Sequence, residues 1–445
     1  MRHGIGSVLV LLFISGASLM AAGVCCSPVV SGEVSPDVLG SGIGRFNSLL
    51  CHDLDGDGRD EIIFGSYEGV VVSAEYNGGD YFVDWQSPRF GTRCWGLAVG
   101  QFDDDESVEL IVGDGDGQVR SIDGKTKKIE WESEKLVRDA HGLLLHDLDG
   151  DGKNELLVGT GFKTDQGWGQ IYMFRQGQRE HFDALPPFDS RIREMDVADV
   201  DGDGDEELVV CCGSALGDVA GEGYVRIFGL HDRELEWKSP DLGGCMEGLR
   251  IVDLDGGGGL DMIFTNGYRY REGYMFIYRF EDGDYRQLWK SPNIGPKAYG
   301  LDVGDVDDDG SLEIAVGNLA GHVMVFDGVS RQEEWRSENL GRDILGIALG
   351  DPDGDGSTEI IAAQGGYIGK GDYTSGYTAP HVYVIDGKSK EIEAVLGEVD
   401  QVLSWLKAGL LLAAVVMVAQ LVVLSRYYVI WRRGVDKEKR RGGVQ

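Results

Sequence analysis

The stretch from Asp53 to Ile62 reads DLDGDGRDEI, with carboxylates at Asp53, Asp55, Asp57 and Glu61. Carboxylates this close repel one another unless something positive sits among them. The phrase returns as DLDGDGKNEL from Asp147, DVDGDGDEEL from Asp199, DVDDDGSLEI from Asp305 and DPDGDGSTEI from Asp351, so the spacing is a design and not an accident of composition. Read as a loop of nine positions, each copy offers side-chain oxygens at positions 1, 3, 5 and 9. The sets are Asp53, Asp55, Asp57, Glu61; Asp147, Asp149, Asp151, Glu155; Asp199, Asp201, Asp203, Glu207; Asp305, Asp307, Asp309, Glu313; and Asp351, Asp353, Asp355, Glu359. Position 7, held by Arg59, Lys153, Asp205, Ser311 or Ser357, offers a backbone carbonyl, and the Gly at position 6 allows the sharp turn that folds the oxygens inward. Hard oxygen donors at this density suit Ca²⁺, which accepts about 6 to 8 ligands in flexible geometry, better than Mg²⁺, which demands a strict octahedron. The loop is not an EF-hand, because Phe64, in an apolar segment, stands where that motif needs Glu.

Two further copies are damaged. The one from Gln101 lacks the first carboxylate and has Glu106 in place of Gly, and the one from Asp253 has Gly257 for its third carboxylate. The second loop is expected to be empty of metal and the fifth to be weak, leaving five Ca²⁺ sites. Closed loops of one composition, spread along a chain, suit structural metals; a catalytic metal needs an open position beside a nucleophile or base. His52 and His146, each before an intact loop, read as strand residues, and no dinucleotide or phosphate-binding Gly motif occurs. The expectation is that the protein is not an enzyme.

The elements that carry these loops are strands. Position 1 recurs at Asp53, Gln101, Asp147, Asp199, Asp253, Asp305 and Asp351, 46 to 54 residues apart. In each unit an apolar segment with Gly enters the loop (GLLLH, GLDVG) and another leaves it (ELLVG, EIAVG). A third follows a Gly-rich turn (HVMVFDG, QVRSIDG), and a fourth ends in Trp-x-Ser at Trp85, Trp131, Trp237, Trp289 or Trp335, read as an outer-strand packing motif. Four strands in each of seven units, without helical periodicity, predict an all-β fold: a seven-bladed β-propeller over residues 34–396. Val34 to Gly44 repeats the phrasing found before later units, and is expected to supply an outer strand that closes the ring.

The acidic loop followed by an apolar strand and Gly resembles the FG-GAP or VCBS-type repeat of integrin α-subunit propellers and of secreted microbial proteins. VRSIDGKTKKIEW, from Val119 to Trp131, is also similar to blades of quinoprotein-type propellers. The resemblance covers roughly residues 34–396 and implies a propeller with calcium loops; the literal FG and GAP ends are absent, so no integrin-like ligand follows.

The two ends carry addresses. Met1 to Gly23 has Arg2, an apolar run from Val8 to Ile14 and small residues at Ala21 to Gly23, the pattern of a signal peptide, followed by a mature segment over 24–33. After a tether over 397–407, residues 408–425 are apolar apart from Gln420, long enough to approach a bilayer core of about 30 Å. The tail over 426–445 holds seven Lys or Arg against two acidic residues and is expected inside, with the propeller outside. The net charge of −35 argues against nucleic acid. Seven cysteines, with vicinal Cys211 and Cys212, define no disulfide connectivity.

Strand direction alternates within a blade, so the second-to-third connections lie opposite the acidic loops. They are long in units three, four, five and seven, and Trp168, Tyr268, Tyr270, Tyr367, Tyr373 and Tyr377 there offer aromatic faces to a glycan or protein ligand. The expected function is a membrane-anchored extracellular adhesion or recognition module. The alternatives are a propeller enzyme, quinone-dependent or polysaccharide-active, and a structural component of the cell envelope.

Overall fold

The computed structural model describes residues 48–103, 105–137, 139–161, 169–214, 222–267, 271–365 and 381–396. They form 28 strands in seven four-stranded antiparallel sheets, each taking its strands in chain order. The innermost strands begin at Leu49, Cys94, Ala140, Arg191, Cys245, Ala298 and Ile344. Each touches the next, and the seventh touches the first, so the sheets close into a ring of seven blades. Closure leaves no blade with an uncovered face.

Second strands such as EIIFG, ELIVGD and ELLVGT are buried at every residue. A strand covered by a neighbouring blade on each face must be apolar on both, which is why these segments read as continuous rather than alternating runs. The period of two still shows in their contacts: Ile62 packs toward the seventh blade with Ile361 and Val384, whereas Ile63 packs toward the second with Leu110 and Val112. The described residues therefore form seven cores, each between two adjacent blades, instead of one central core.

Near the axis the inner strands come so close that only glycine fits. A Cβ on Gly96 would lie 2.1 Å from the His141 carbonyl oxygen, and one on Gly300 2.5 Å from the Ile347 nitrogen.

The serine of Trp-x-Ser has a task that the packing interpretation misses. In the second blade the Ser133 amide donates to the Val119 carbonyl at 2.9 Å, and the Val119 amide donates back to Ser133 Oγ at 3.0 Å. The hydroxyl thus stands in for a backbone carbonyl and extends the ladder past the end of the outer strand. Ser87, Ser239, Ser291 and Ser337 accept in the same way from Val71, Val225, Met275 and Val323.

The outer place in the seventh sheet is filled by Ile392–Leu396. That sheet is complete without the expected N-terminal strand, and 34–44 lies outside the described residues, as do 1–33 and 397–445. Among the described residues no helix is long and apolar enough to cross a membrane; the apolar run over 408–425 is not among them. Cys51, Cys94, Cys211, Cys212 and Cys245 are free thiols, so the vicinal pair forms no bridge.

Candidate cation sites in the acidic loops

Each acidic loop joins the first strand of a blade to its second. In the first blade Asp53 Oδ1 accepts the amides of Gly56 and Asp57 at 2.8 and 3.1 Å, and Oδ2 accepts that of Gly58 at 2.9 Å. Asp55 accepts the Asp57 amide, and Asp57 accepts the Arg59 amide. The aspartates at positions 1, 3 and 5 thus wind the backbone around themselves and converge. Gly56 and Gly58 have φ of +80° and +94° with nothing near a would-be Cβ, so what demands glycine there is the left-handed backbone and not lack of space. At the equivalent of Gly56 in the sixth blade, Asp308 adopts φ of 62°.

Position 9 is the first residue of the second strand and is buried in all seven blades, as Glu61, Glu109, Glu155, Glu207, Asp261, Glu313 and Glu359. In the first blade its Oε2 accepts the position 2 amide, Leu54 to Glu61, at 2.8 Å, and the same bond recurs from Leu148, Val200 and Val306. Asp53, Asp55, Asp57 and Glu61 lie within 4.8 Å of one another, as do Asp147, Asp149 and Glu155, and Asp199, Asp201 and Glu207. Burial pushes the carboxyls of Glu61, Glu109, Glu207 and Glu313 up to about 7. Glu359 goes further, to about 9, through burial and the nearby charges of Asp353 and Glu393. Its position 2 residue is Pro352, which has no amide to offer, and Glu359 Oε2 accepts no hydrogen bond. Buried acids held above their ordinary range, two of them (Glu109 and Glu359) with an unpartnered oxygen, fit a divalent cation: the aspartates at positions 1, 3 and 5 and the acid at position 9 would hold it, and it would neutralise their mutual repulsion.

The loops are not equivalent, and the loop sequences alone do not show it. In the third blade Arg175, from the third strand side, reaches Asp149 Oδ2 at 2.5 Å and Glu155 Oε1 at 3.0 Å. In the fifth, Arg279 bridges Asp255 at 3.0 Å and Asp261 at 2.6 Å. The third loop, complete in its carboxylates, is therefore already served by a guanidinium. In the second, Gln101 Nε2 donates to the carbonyls of Asp105 and Ser107, both at 2.8 Å, so the amide ties up the position 7 carbonyl. Yet Asp105, Glu109 and Asp123 still gather there, as do Asp103, Glu109 and Glu130, a collection drawn from strands as well as loop.

Position 8 links loops around the ring. Asp60 accepts the Asp351 amide at 3.0 Å across the closure, and Asn154 donates to the Gln101 carbonyl at 2.8 Å. Glu206 pairs with His146 at 2.9 Å, which gives that histidine a partner in the neighbouring loop.

At the opposite end of the inner strands another pattern appears. Register breaks leave one extra residue in the pairing with the second strand, around Trp95, His141, Arg193, Glu247, Tyr299 and Leu345. A bulge re-aims the side chain it carries. The Trp95 and His141 rings lie 5.1 Å apart, Arg193 lies 3.8 Å from Glu247, Lys297 pairs with Glu247, and its ammonium sits 4.5 Å from the Tyr299 ring centre. Sequence offered one signal for this ring, the Gly that follows most of these residues, but a bulge exists only relative to a partner strand. The expected ligand aromatics Trp168, Tyr268, Tyr270, Tyr367, Tyr373 and Tyr377 lie outside the described residues.

Residues 147–210, from the third acidic loop into the strand after the fourth, match the family model of the FG-GAP-like repeat. None of the curated proteins compared with the chain matches it. Among solved structures, the crystal structure of Saccharomyces cerevisiae Sqt1 is similar with a TM-score of 0.49 and 12% identity, over 79% of this chain and 88% of that one.

Proposed function

We propose, from the premise that the chain is a seven-bladed β-propeller of FG-GAP-like repeats, that it is a calcium-binding recognition module displayed outside the cell on a C-terminal anchor. The observation that carries the recognition reading is the bulge ring. Six blades each carry an inner-strand bulge toward the end away from the acidic loops, and the bulged residues are of different chemistry: two aromatics, a cation, an anion and a histidine among them. Buried charges are costly to desolvate unless paired, and here Arg193 and Lys297 both lie against Glu247. Tyr299 is partly exposed, and Lys297, paired with buried Glu247, lies against its ring; such a surface suits a partner with polar edges, such as a glycan or a protein loop. The role is binding, and no reaction is assigned to it.

Two experiments test the reading. Full-length chain in lipid nanodiscs is screened on glycan and extracellular-protein arrays, and the ligand found is re-tested on Tyr299→Ala and on Arg59→Ala. The first variant is expected to lose binding and the second, on the acidic-loop end, to keep it; the reverse pattern contradicts the face assignment. Protease added to intact cells should remove the propeller while an epitope placed after Gln445 survives. A digested epitope on unbroken cells contradicts the topology.

A further inference from the structure

In blades two, six and seven the turn between the third and fourth strands leans over the acidic loop of the blade before it. A Cβ on Gly124 would lie 2.3 Å from the Leu54 carbonyl, and one on Gly387 2.2 Å from that of Val306. What the following blade brings to the buried carboxylates differs from loop to loop. Lys127 reaches toward the first loop, where its charge acts on Glu61, and Lys390 toward the sixth, facing Asp307 and Glu313. Over the fourth and seventh loops the residue is a tyrosine. Tyr285 packs on Val209 and Ile227 of the fourth blade, and Tyr81 on Ile361 and Val384 of the seventh. Both rings are more than nine-tenths buried and lie beside the acids, Tyr285 near Glu207 and Asp201, Tyr81 near Glu359 and Asp353. Neither hydroxyl has a hydrogen-bond partner, and neither has Glu359 Oε2.

The chain thus supplies positive charge to some carboxylate sets and withholds it from others. A guanidinium forked onto two carboxylates satisfies both charge and hydrogen bonding, so Arg175 and Arg279 leave little for a metal to gain in blades three and five. In blade one Arg59 pairs with the single carboxylate of Asp57 at 2.9 Å and Lys127 adds its charge, and in blade six Lys390 does so alone; each lowers the gain without abolishing it. A phenol carries no charge. In blades four and seven the full set of four carboxylates, with a buried acid and an unpartnered oxygen atom beside it, is paired with no Lys or Arg among the described residues, which leaves the balancing to an external cation.

We propose that the residue lent by the neighbouring strands decides which loops take a divalent cation: blades four and seven, roofed by Tyr285 and Tyr81, are the high-affinity sites, and blades three and five are closed by their own arginines. The inference rests on the calcium reading above but differs from the rule that an intact loop binds, which would include blade three and exclude neither one nor six.

The test is an ion count on the full-length chain, by equilibrium dialysis against limiting Ca²⁺ and elemental analysis, for the parent and four variants. Asp201→Asn and Asp353→Asn should each lower tightly bound Ca²⁺ by one ion per chain. Asp149→Asn should leave the count unchanged, and Arg175→Ala should raise it by one. Tb³⁺ emission excited through tyrosine gives a second readout: it should fall in Tyr81→Phe and in Tyr285→Phe without loss of bound metal. Loss of an ion in Asp149→Asn, or an unchanged count in Asp353→Asn and Asp201→Asn, overturns the selection rule while leaving calcium binding intact. No bound ion in the parent overturns both.

Discussion

The acid at position 9 sets the pH response. Its folded-state carboxyl is raised to about 7 in Glu61, Glu109, Glu207 and Glu313, above the ordinary range of an unfolded glutamate. Between those two values the folded state binds more protons than the unfolded one, so stability falls as pH rises through that window, from about 4.5 to about 7. Glu359 extends the fall toward about 9. The cation-free protein is therefore expected to melt at progressively lower temperature from pH 5 upward (~pH 5 to 8 being the span to scan), opposite to the acid lability of a protein held by ordinary salt bridges. Calcium, by favouring the ionised form, should flatten or reverse that slope. A melting midpoint that rises with pH in chelator would count against the buried acids being uncompensated. In the same scan Glu207→Gln should flatten part of the cation-free decline and lose part of the gain on adding Ca²⁺, because the amide keeps the oxygen that accepts the Val200 amide but drops the charge. The carboxylates themselves were legible in the sequence, since spacing within a loop is local. Arg175 and Arg279 were not, because they come from strands some twenty residues further on and meet the loop only through sheet pairing.

Strands were the most readable elements, and the reason is geometric. Second strands lie between two other blades, so they show as largely apolar runs bounded by Gly-rich turns, while the short outer strands are marked by Trp. Pairing properties were not readable. The Trp-x-Ser serine looked like packing until the Val119 amide was seen to bond to it, and the bulges look like ordinary strand residues in one dimension. Both lead to measurements. Ser133→Ala leaves the buried Val119 amide without its acceptor and should cost about 1–3 kcal/mol in denaturant melts, the range for an orphaned buried polar group. A cost near zero would mean water replaces the hydroxyl. Gly96→Ala places a methyl against the His141 carbonyl between two inner strands that cannot separate without opening the ring. It should cost more than the ~1–3 kcal/mol typical of overpacking, whereas Gly177→Ala, in a turn with φ of +78° and no neighbour, should cost about 1 kcal/mol through backbone strain alone. Equal effects at the two positions would contradict the close approach of the inner strands.

As a whole, the molecule is a closed ring with a core at each of seven interfaces and a rim of acidic loops at one end. The rim explains much of the net charge of −35, and self-repulsion on that scale must be offset for a compact ring to persist. At the closure the first and seventh blades meet through side-by-side contacts that include the Asp351 amide on Asp60. The whole-ring architecture could be anticipated from the repeat count, since seven units of one grammar admit few arrangements. The outer strand of the last described sheet, Ile392–Leu396, was not anticipated, because it lacks the Trp that marks the outer strands of other blades and is identified by its pairing with Val382–Asp386. The central claim, that external cations complete this ring, is tested most directly by melting the protein at neutral pH in millimolar Ca²⁺ and in excess chelator. A ligand bound only by the folded state adds about 2.7 kcal/mol per site at a hundredfold excess over Kd, so even a pair of occupied loops should raise the midpoint by several degrees. Coincident melting curves in calcium and in chelator would contradict it.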